Sequence, residues 1–397
     1  MSLGLTLQLA ILALIVAMLP LSMVWVAADK DRYRKLVAIT LFLTFDLIVF
    51  GAFTRLTDSG LGCPDWPGCY GQANPFQAHA EIMAAQTAMP TGPVTVVKAW
   101  IEMIHRYLAM TVGILIVSLM ALAWRRWWRQ RRAGRQPVMG NNAGAKALTA
   151  EASTGRPWFA TMLFGFVCLQ GAFGAWTVTL KLQPVIVTIH LLLGMGLLGL
   201  LAWLHARHGF ERVVPEKAAA DLRWPALLAA VLLTVQIALG GWVSTNYATL
   251  ACTDFPLCQG ALVPPMDYAH GFTLWRKLGM TASGDYLPFS ALTAIHWTHR
   301  NSAFVVVAVL GWVAWRALAI PSLRRTGKWL LVGLGAQFAT GVATVYFEWP
   351  LALAVAHNAG AAVLVLLLVM LNYRTFAAAR TRTTFPDFAP SQAFSTS

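Results

Sequence analysis

Stretches of about 20 apolar residues recur along the chain, and they constrain its fold more than any other feature. A helix needs about 20 residues to cross the roughly 30 Å hydrocarbon core of a bilayer. In lipid the backbone must satisfy its own hydrogen bonds, which favours helices for segments of this length. We therefore predict an all-α integral membrane protein. Its nine predicted spans are 4–27, 37–55, 99–123, 158–180, 186–206, 225–245, 290–315, 328–347 and 351–372.

The charge distribution predicts how these spans are oriented. The formal net charge of +14 would suit a nucleic-acid partner, but only 12% of residues are charged. If the spans alternate, 23 of the 30 Lys and Arg residues fall on one side of the membrane. The positive-inside rule makes that side the cytoplasm of a bacterial-type inner membrane. We therefore expect an outer N-terminus, a cytoplasmic C-terminus and no nucleic-acid partner.

The first span is expected to be retained, because no positive residue precedes it. A cleaved leader is the alternative. The sequence assigns no role to this extra helix. It also leaves the oligomeric state open, and a homo-oligomer is one possibility.

A repeat divides the remaining eight spans into two halves. The motif C-x-D-aromatic-P-x-C-x-G begins at Cys63 and again at Cys252, directly after a span in both cases. Histidines recur in the same order in both halves. Each half has an even number of spans, so both have the same orientation, as in a parallel repeat. We predict two pseudo-symmetric four-helix transmembrane bundles plus one extra N-terminal helix.

This organisation predicts four segments. Residues 1–36 form the extra helix and a basic loop, 37–210 the N-terminal bundle, 211–375 the C-terminal bundle and 376–397 a cytoplasmic tail. The stretch 125–157, rich in Arg, Gly and Asn, is predicted to be a basic connector inside the first half.

Four histidines, His105, His190, His299 and His357, occupy equivalent places near the outer ends of spans. Ionisable residues inside a bilayer usually face the bundle interior and have a partner. Two imidazoles facing each other across a bundle are a common way to hold a haem iron. Polar histidines that bond helix to helix are one alternative. A zinc or copper site is another, but it needs further ligands beside each pair.

Glu102 makes the two halves unequal. It precedes His105 by three residues and so shares its helix face, whereas the corresponding residue of the second half is His296. A carboxylate beside only one site suits a group that accepts a proton or orients a water molecule. An ion pair with Arg106 or with a loop residue is the alternative. For His296 a reserve ligand, a neighbour on an electron path and a plain interface residue are equally open.

Arg106 and Arg300 each follow a proposed ligand. Guanidinium groups suit carboxylates, so haem propionates are natural partners; anchoring at the outer boundary is the alternative. Asp46 is a lone acid within a span and receives no role.

Four cysteines form two C-x5-C pairs in the predicted outer loops. In an oxidising compartment, Cys63 with Cys69 and Cys252 with Cys258 are expected to form disulfides that staple these loops. A redox role is the alternative, and Cys63 and Cys69 are the better candidates for it.

Taken together, T-R-L-T-D-S-G-L-G-C-P-D-W-P-G-C at 54–69, I-E-M-I-H-R at 101–106 and the three later histidines resemble the haem A synthase family. The resemblance runs from about residue 37 to residue 372. It implies a haem b ligated by His299 and His357. It also implies that haem O is the substrate and that His105 and His190 flank its iron.

The family resemblance further implies a reaction. The C8 methyl group of haem O would become a formyl group by successive hydroxylations, with Glu102 as acid and base. Water would supply the oxygen, and the haem b would pass electrons to an acceptor that the sequence does not identify. The product, haem A, would serve terminal oxidases, and haem O synthase is a candidate partner.

Two other functions compete with this interpretation. A dihaem b-type electron-transfer protein linked to quinol, without haem modification, explains the histidines but leaves Glu102 and the cysteine loops unused. A transporter with duplicated halves favours polar residues at the bilayer midplane, whereas these histidines lie near the outer surface.

Overall fold

In a computed structural model of the chain, the structure describes residues 3–26, 32–133, 157–208 and 216–384. Within these ranges the regular secondary structure is helical, with connecting loops and no strand beyond two isolated β-bridges. The helices are α1 (Leu3–Val26), α2 (Arg32–Leu56), α3 (His79–Ala88), α4 (Val96–Ala133), α5 (Trp158–Thr179), α6 (Pro184–Arg207), α7 (Lys217–Asp221), α8 (Arg223–Thr245), α9 (Tyr268–Gly271), α10 (Phe289–Leu318), α11 (Arg324–Tyr346) and α12 (Leu351–Thr384).

The all-α membrane class is confirmed, because nine stretches within the described ranges are long and apolar enough to span a membrane. Two helices extend further than predicted. Helix α4 continues to Ala133 and α12 to Thr384, beyond the apolar runs that ended at 123 and 372. Neither extension contains Gly or Pro to end the helix, and Arg is a good helix former. The remainder of the predicted connector and tail, 134–156 and 385–397, lies outside the described residues.

The chain forms two compact units. The first comprises Met1–His205 with Leu274–Asp285, and the second comprises Ala206–Thr273 with Tyr286–Ser397. In the first unit, α4 packs against α1, α2 and α5. In the second, α10 packs against α8 and α11, while α12 packs against α7, α8 and α11.

The first unit contains two separate apolar clusters. One lies between the spans and includes the fully buried Leu36, Leu115, Leu119 and Leu201. The other surrounds the first cysteine loop. Its members come from α1, the loop, α3 and α4, and they are Leu5, Leu9, Cys63, Cys69, Ala73, Ala78, Ile82, Ala99 and Met103. The extra N-terminal helix therefore helps to cover this loop.

Candidate functional site

The structure places the four repeated histidines in two pairs, one in each unit. His105 of α4 and His190 of α6 belong to the first unit and are close enough to interact electrostatically. His299 of α10 and His357 of α12 form the corresponding pair of the second unit. Each side chain is more than half buried. Each unit thus brings two imidazoles together.

Every one of these rings lies against a glycine of the preceding span. A Cβ atom added to that glycine would come within 2.9 to 3.1 Å of a ring atom, closer than ordinary contact. The pairs are Gly51 with His105, Gly174 with His190, Gly240 with His299, and Gly341 with His357. The helices approach closely here because the glycines have no side chain, as is common between membrane helices.

Both predicted disulfides are confirmed, between Cys63 and Cys69 and between Cys252 and Cys258. The two loops are built alike. In the first, the carboxylate of Asp65 accepts from the backbone N–H groups of Tyr70 at 2.6 Å and of Gly71 at 2.7 Å.

In the second loop, the Asp254 carboxylate accepts from Gln259 N–H at 2.8 Å and Gly260 N–H at 2.9 Å. The N–H of Gly260, then that of Gln259, holds the pKa of Asp254 below its usual range.

Glu102 is buried, with 3% of its surface exposed, and it contacts the first cysteine loop. Its Oε2 accepts from the Cys63 N–H at 2.8 Å, and its Oε1 forms an ion pair with Arg106. His296 takes the same place in the second unit, where its Nδ1 lies 3.2 Å from the Cys252 backbone nitrogen. One loop is thus fixed to a carboxylate and the other to an imidazole.

Arg106 lies inside the first loop. Besides its ion pair with Glu102, its Nη1 donates to the backbone carbonyls of Asp65 at 2.9 Å, Pro67 at 3.3 Å and Gly68 at 2.6 Å. These contacts favour a role for Arg106 in anchoring the loop over a role in binding a propionate. The ion pair between Arg106 and Glu102, which was the alternative role for Glu102, is also present.

Arg300 has fewer contacts with its loop. Its Nη2 donates to the carbonyl of Leu257 at 3.0 Å, and its guanidinium lies 5.2 Å from the centre of the Phe255 ring. Its Nη1 is buried and has no hydrogen-bond partner among the described residues. Arg300 therefore keeps a donor that the described residues leave without an acceptor, whereas Nη1 of Arg106 is occupied by the loop.

Other metal ligands are not gathered around either pair. In the part of the chain that the structure describes, no group of three or more His, Cys, Asp or Glu side chains is placed to hold a metal ion. Asp46 lies in α2, and within the same ranges it forms no hydrogen bond or ion pair.

Several residues that lie beside the rings were not predicted from the sequence. The glycines, and the polar residues Gln236, Ser302 and Thr340 that contact His299 and His357, were not singled out. A signal for them exists. The pattern Q-x3-G occurs at 170–174, 236–240 and 337–341, each time in the span that precedes a repeated histidine.

The fold and the site therefore define a multi-pass helical membrane protein with a pair of partly buried imidazoles in each of two units. The family model for COX15-CtaA, described as cytochrome oxidase assembly protein, matches residues 34–369. The chain belongs to this family, so the predicted resemblance is confirmed.

Similar proteins include a heme A synthase from Shewanella oneidensis, 37% identical over 340 residues that cover 85% of this chain and 95% of that protein. A heme A synthase from Caulobacter sp. (strain K31) is 30% identical over 363 residues, covering 84% and 94% respectively. A third, from Rhodopseudomonas palustris (strain BisB5), is 26% identical over 383 residues.

Proposed function

We propose that this chain is a haem A synthase, a membrane oxidoreductase that converts the C8 methyl group of haem O to a formyl group by successive hydroxylations. The observation that carries the proposal is the inequality of the two sites. Both units hold two imidazoles, but only the first has a buried carboxylate, Glu102, where the second has His296.

The residues present fit haem better than a bare metal ion. A haem iron already has four porphyrin nitrogens and needs only two axial ligands. Each unit offers two imidazoles, and no third ligand gathers beside them within the described ranges. His299 and His357 would hold a haem b, which supplies electron transfer when bound.

The first unit would hold haem O as substrate, between His105 and His190. Conversion of a methyl to a formyl group with water as oxygen source releases four protons and four electrons. A group near the reacting carbon must accept protons, and Glu102 is the acid nearest in sequence to a ligand of this site. The electrons must leave towards an external acceptor.

The contacts of Glu102 suit this task. Its two oxygens are held by the Cys63 N–H and by Arg106, so the carboxylate has a fixed direction. A carboxylate offers about four acceptor positions, so these contacts leave capacity to accept a hydrogen bond from a water molecule. The first cysteine loop thereby orients the base, while its disulfide keeps the loop closed.

The same proposal implies the membrane location of the protein and its orientation. The protein would lie in a bacterial inner membrane with its N-terminus outside and its C-terminus in the cytoplasm, and it would receive haem O from the bilayer or from haem O synthase. The distribution of Lys and Arg supports this orientation.

Pigment extraction from the purified protein tests the proposal. Chromatography of the extracted haems should give haem B together with haem O and haem A, and added haem O should be converted to haem A. A protein that carries only haem B and leaves added haem O unchanged would instead be a dihaem electron-transfer protein.

A further inference from the structure

Helix α4 is too long to lie wholly within a membrane. Its 38 residues extend about 57 Å at about 1.5 Å per residue, whereas the hydrocarbon core of a bilayer is about 30 Å thick. The apolar run ends at 123, and the last part of the helix, 124–133, contains five arginines and no acidic residue. This end of α4 therefore projects from the hydrocarbon with a high positive charge.

Three of these arginines share one face of the helix. Arg125, Arg129 and Arg132 are spaced four and three residues apart, and we call them the basic stripe. All three are exposed, and none forms a hydrogen bond or an ion pair within the described residues. Like charges at this spacing repel each other along a helix. Negative charge supplied from outside the described residues would therefore stabilise the segment.

A group of tryptophans lies at the same end of the first unit. Trp124 of α4 donates its Nε1 hydrogen to the hydroxyl oxygen of Thr161 in α5 at 3.0 Å, and its ring centre lies 5.7 Å from that of Trp158. Trp128 is 54% exposed and Trp158 is 64% exposed. Tryptophan side chains collect at the boundary between lipid and water. The basic stripe therefore begins at the depth of the lipid headgroups.

The chain itself is a poor source of the missing negative charge. The stretch that follows α4, 134–156, lies outside the described residues, and its sequence contains Arg135, Lys146 and Arg156 against one acid, Glu151. Contact with this stretch would add more positive than negative charge. A second copy of the chain would present the same arginines. The complementary charge must come from a different molecule.

The second unit has no counterpart of the stripe on its equivalent helix. The offset of 194 that relates His105 to His299 relates the three arginines to Ala319, Leu323 and Thr326, which are uncharged. The stripe is therefore a feature of the first unit and not of the repeated bundle.

We propose that the basic stripe binds the phosphate headgroup of an anionic phospholipid in the leaflet at which α4 ends. Guanidinium forks match the oxygens of a phosphate group. Clusters of basic residues directly beside a membrane span attract anionic lipids. Trp128 and Trp158 would lie beside the same lipid at the boundary of its acyl chains. The site is independent of the haem chemistry and goes beyond the proposed function.

Binding of phosphatidylglycerol with a fluorescent acyl chain tests the inference. The lipid is titrated against the purified full chain in a neutral detergent, and fluorescence anisotropy reports binding. Arg129→Gln should weaken binding about fivefold, and the triple variant Arg125→Gln, Arg129→Gln, Arg132→Gln about 100-fold. Added salt should weaken binding to the wild type, because part of the stripe is exposed to solvent.

The matched control is Arg131→Gln. It removes the same charge from the same helix, but Arg131 lies off the stripe, with its guanidinium 4.0 Å from the centre of the Trp127 ring. Its affinity for phosphatidylglycerol should stay close to that of the wild type. Arg129→Lys keeps the charge without the fork and should fall between the wild type and Arg129→Gln. The thermal unfolding temperatures of Arg129→Gln and Arg131→Gln in neutral detergent should agree.

Equal weakening by Arg129→Gln and Arg131→Gln would overturn the inference, because only net charge would then matter. Equal binding of phosphatidylcholine with the same label would also overturn it, since the headgroup charge would play no part. Displacement of the labelled lipid by inorganic phosphate would show a site for the free anion instead of a lipid. If the triple variant cannot be purified, the single variants decide.

Discussion

The backbone N–H of Cys63 donates to the carboxylate of Glu102 across 2.8 Å, which ties the first cysteine loop directly to α4. Arg106, one turn along the same helix, forms an ion pair with the other carboxylate oxygen and also bonds to the loop. The proposed base and the disulfide loop are therefore one hydrogen-bonded assembly. A change in either should be measurable in the other.

Replacement of Glu102 by Gln should abolish haem A formation while haem B stays bound. The amide keeps the size of the carboxylate but cannot accept a proton, and loss of a general base typically costs 10²- to 10⁴-fold in rate. Conversion of added haem O, followed by chromatography, measures the effect.

The matched control for this variant is His296→Gln, which changes the equivalent contact to Cys252 in the second unit. It should leave haem O conversion closer to wild type than Glu102→Gln does. Normal haem A formation by Glu102→Gln would remove the acid–base role assigned to this residue.

Removal of Arg106 should destabilise the first loop strongly. Arg106→Met leaves the carboxylate of Glu102 buried without its counter-charge, and breaking a buried ion pair in this way costs about 3–5 kcal/mol. We expect a lower thermal unfolding temperature in detergent and faster reduction of the Cys63–Cys69 disulfide.

Arg300→Met provides the comparison, because Arg300 makes one hydrogen bond to its loop, to Leu257, and no ion pair within the described residues. Its effect on the thermal unfolding temperature should be smaller. If the two Arg variants destabilise the protein equally, the ion pair of Arg106 contributes less than the structure indicates.

The two histidine pairs should respond differently to truncation. His299→Ala removes one of the two proposed axial ligands and should eliminate bound haem B, together with its low-spin absorption spectrum. His105→Ala should keep haem B and lose only haem O conversion. Retention of six-coordinate haem B by His299→Ala would mean that the ligand assignment is wrong.

Hydropathy and the repeat were sufficient to predict the spans, the two disulfides and the arrangement of the four histidines in two pairs. A membrane helix satisfies its backbone within one segment, so its position depends on local composition alone. The contacts of Arg106 were not predictable in the same way. Three loop carbonyls converge on it only after the loop folds back onto α4, and no spacing in the sequence reports that.

The residues beside the histidine rings are an intermediate case. The pattern Q-x3-G is visible in the sequence before three of the four histidines, and Leu47 is the exception. Its meaning depends on the packing of each ring against a glycine of the neighbouring helix, which requires the structure.

The stability of the second cysteine loop should depend on pH through the ionisation of Asp254. Two backbone N–H groups, first that of Gly260, hold the pKa of this carboxyl below its usual value of 3.8. Because the pKa is lower in the folded loop, the charged form stabilises the loop above pH 3.8, and this contribution is lost as the pH falls through the depressed pKa.

Reduction of the Cys252–Cys258 disulfide by a phosphine measures this dependence. At pH 7 the Asp254→Asn variant should be reduced faster than the wild type, and the two rates should converge in acid. A ratio of rates that stays constant from pH 7 to below 3.8 contradicts the assigned role of Asp254.

Finally, α1 should support the first cysteine loop although it precedes the segment that the family model matches. Leu5 and Leu9 are buried against this loop, and the side chain of Leu5 lies 3.3 Å from the position of an added Gly68 Cβ. Between elements in lipid such packing stabilises through close contact, not through exclusion of water. Leu9→Ala removes those contacts and leaves a cavity beside the disulfide.

We therefore expect Leu9→Ala to accelerate reduction of the Cys63–Cys69 disulfide and to lower haem O conversion. Leu7→Ala is the matched control, because Leu7 lies on the same helix with 60% of its surface exposed. Since Cys63 donates to Glu102, a loosened loop also loosens the proposed base, so the two effects should appear together in Leu9→Ala and be absent in Leu7→Ala. Faster disulfide reduction with unchanged conversion would separate the loop from catalysis.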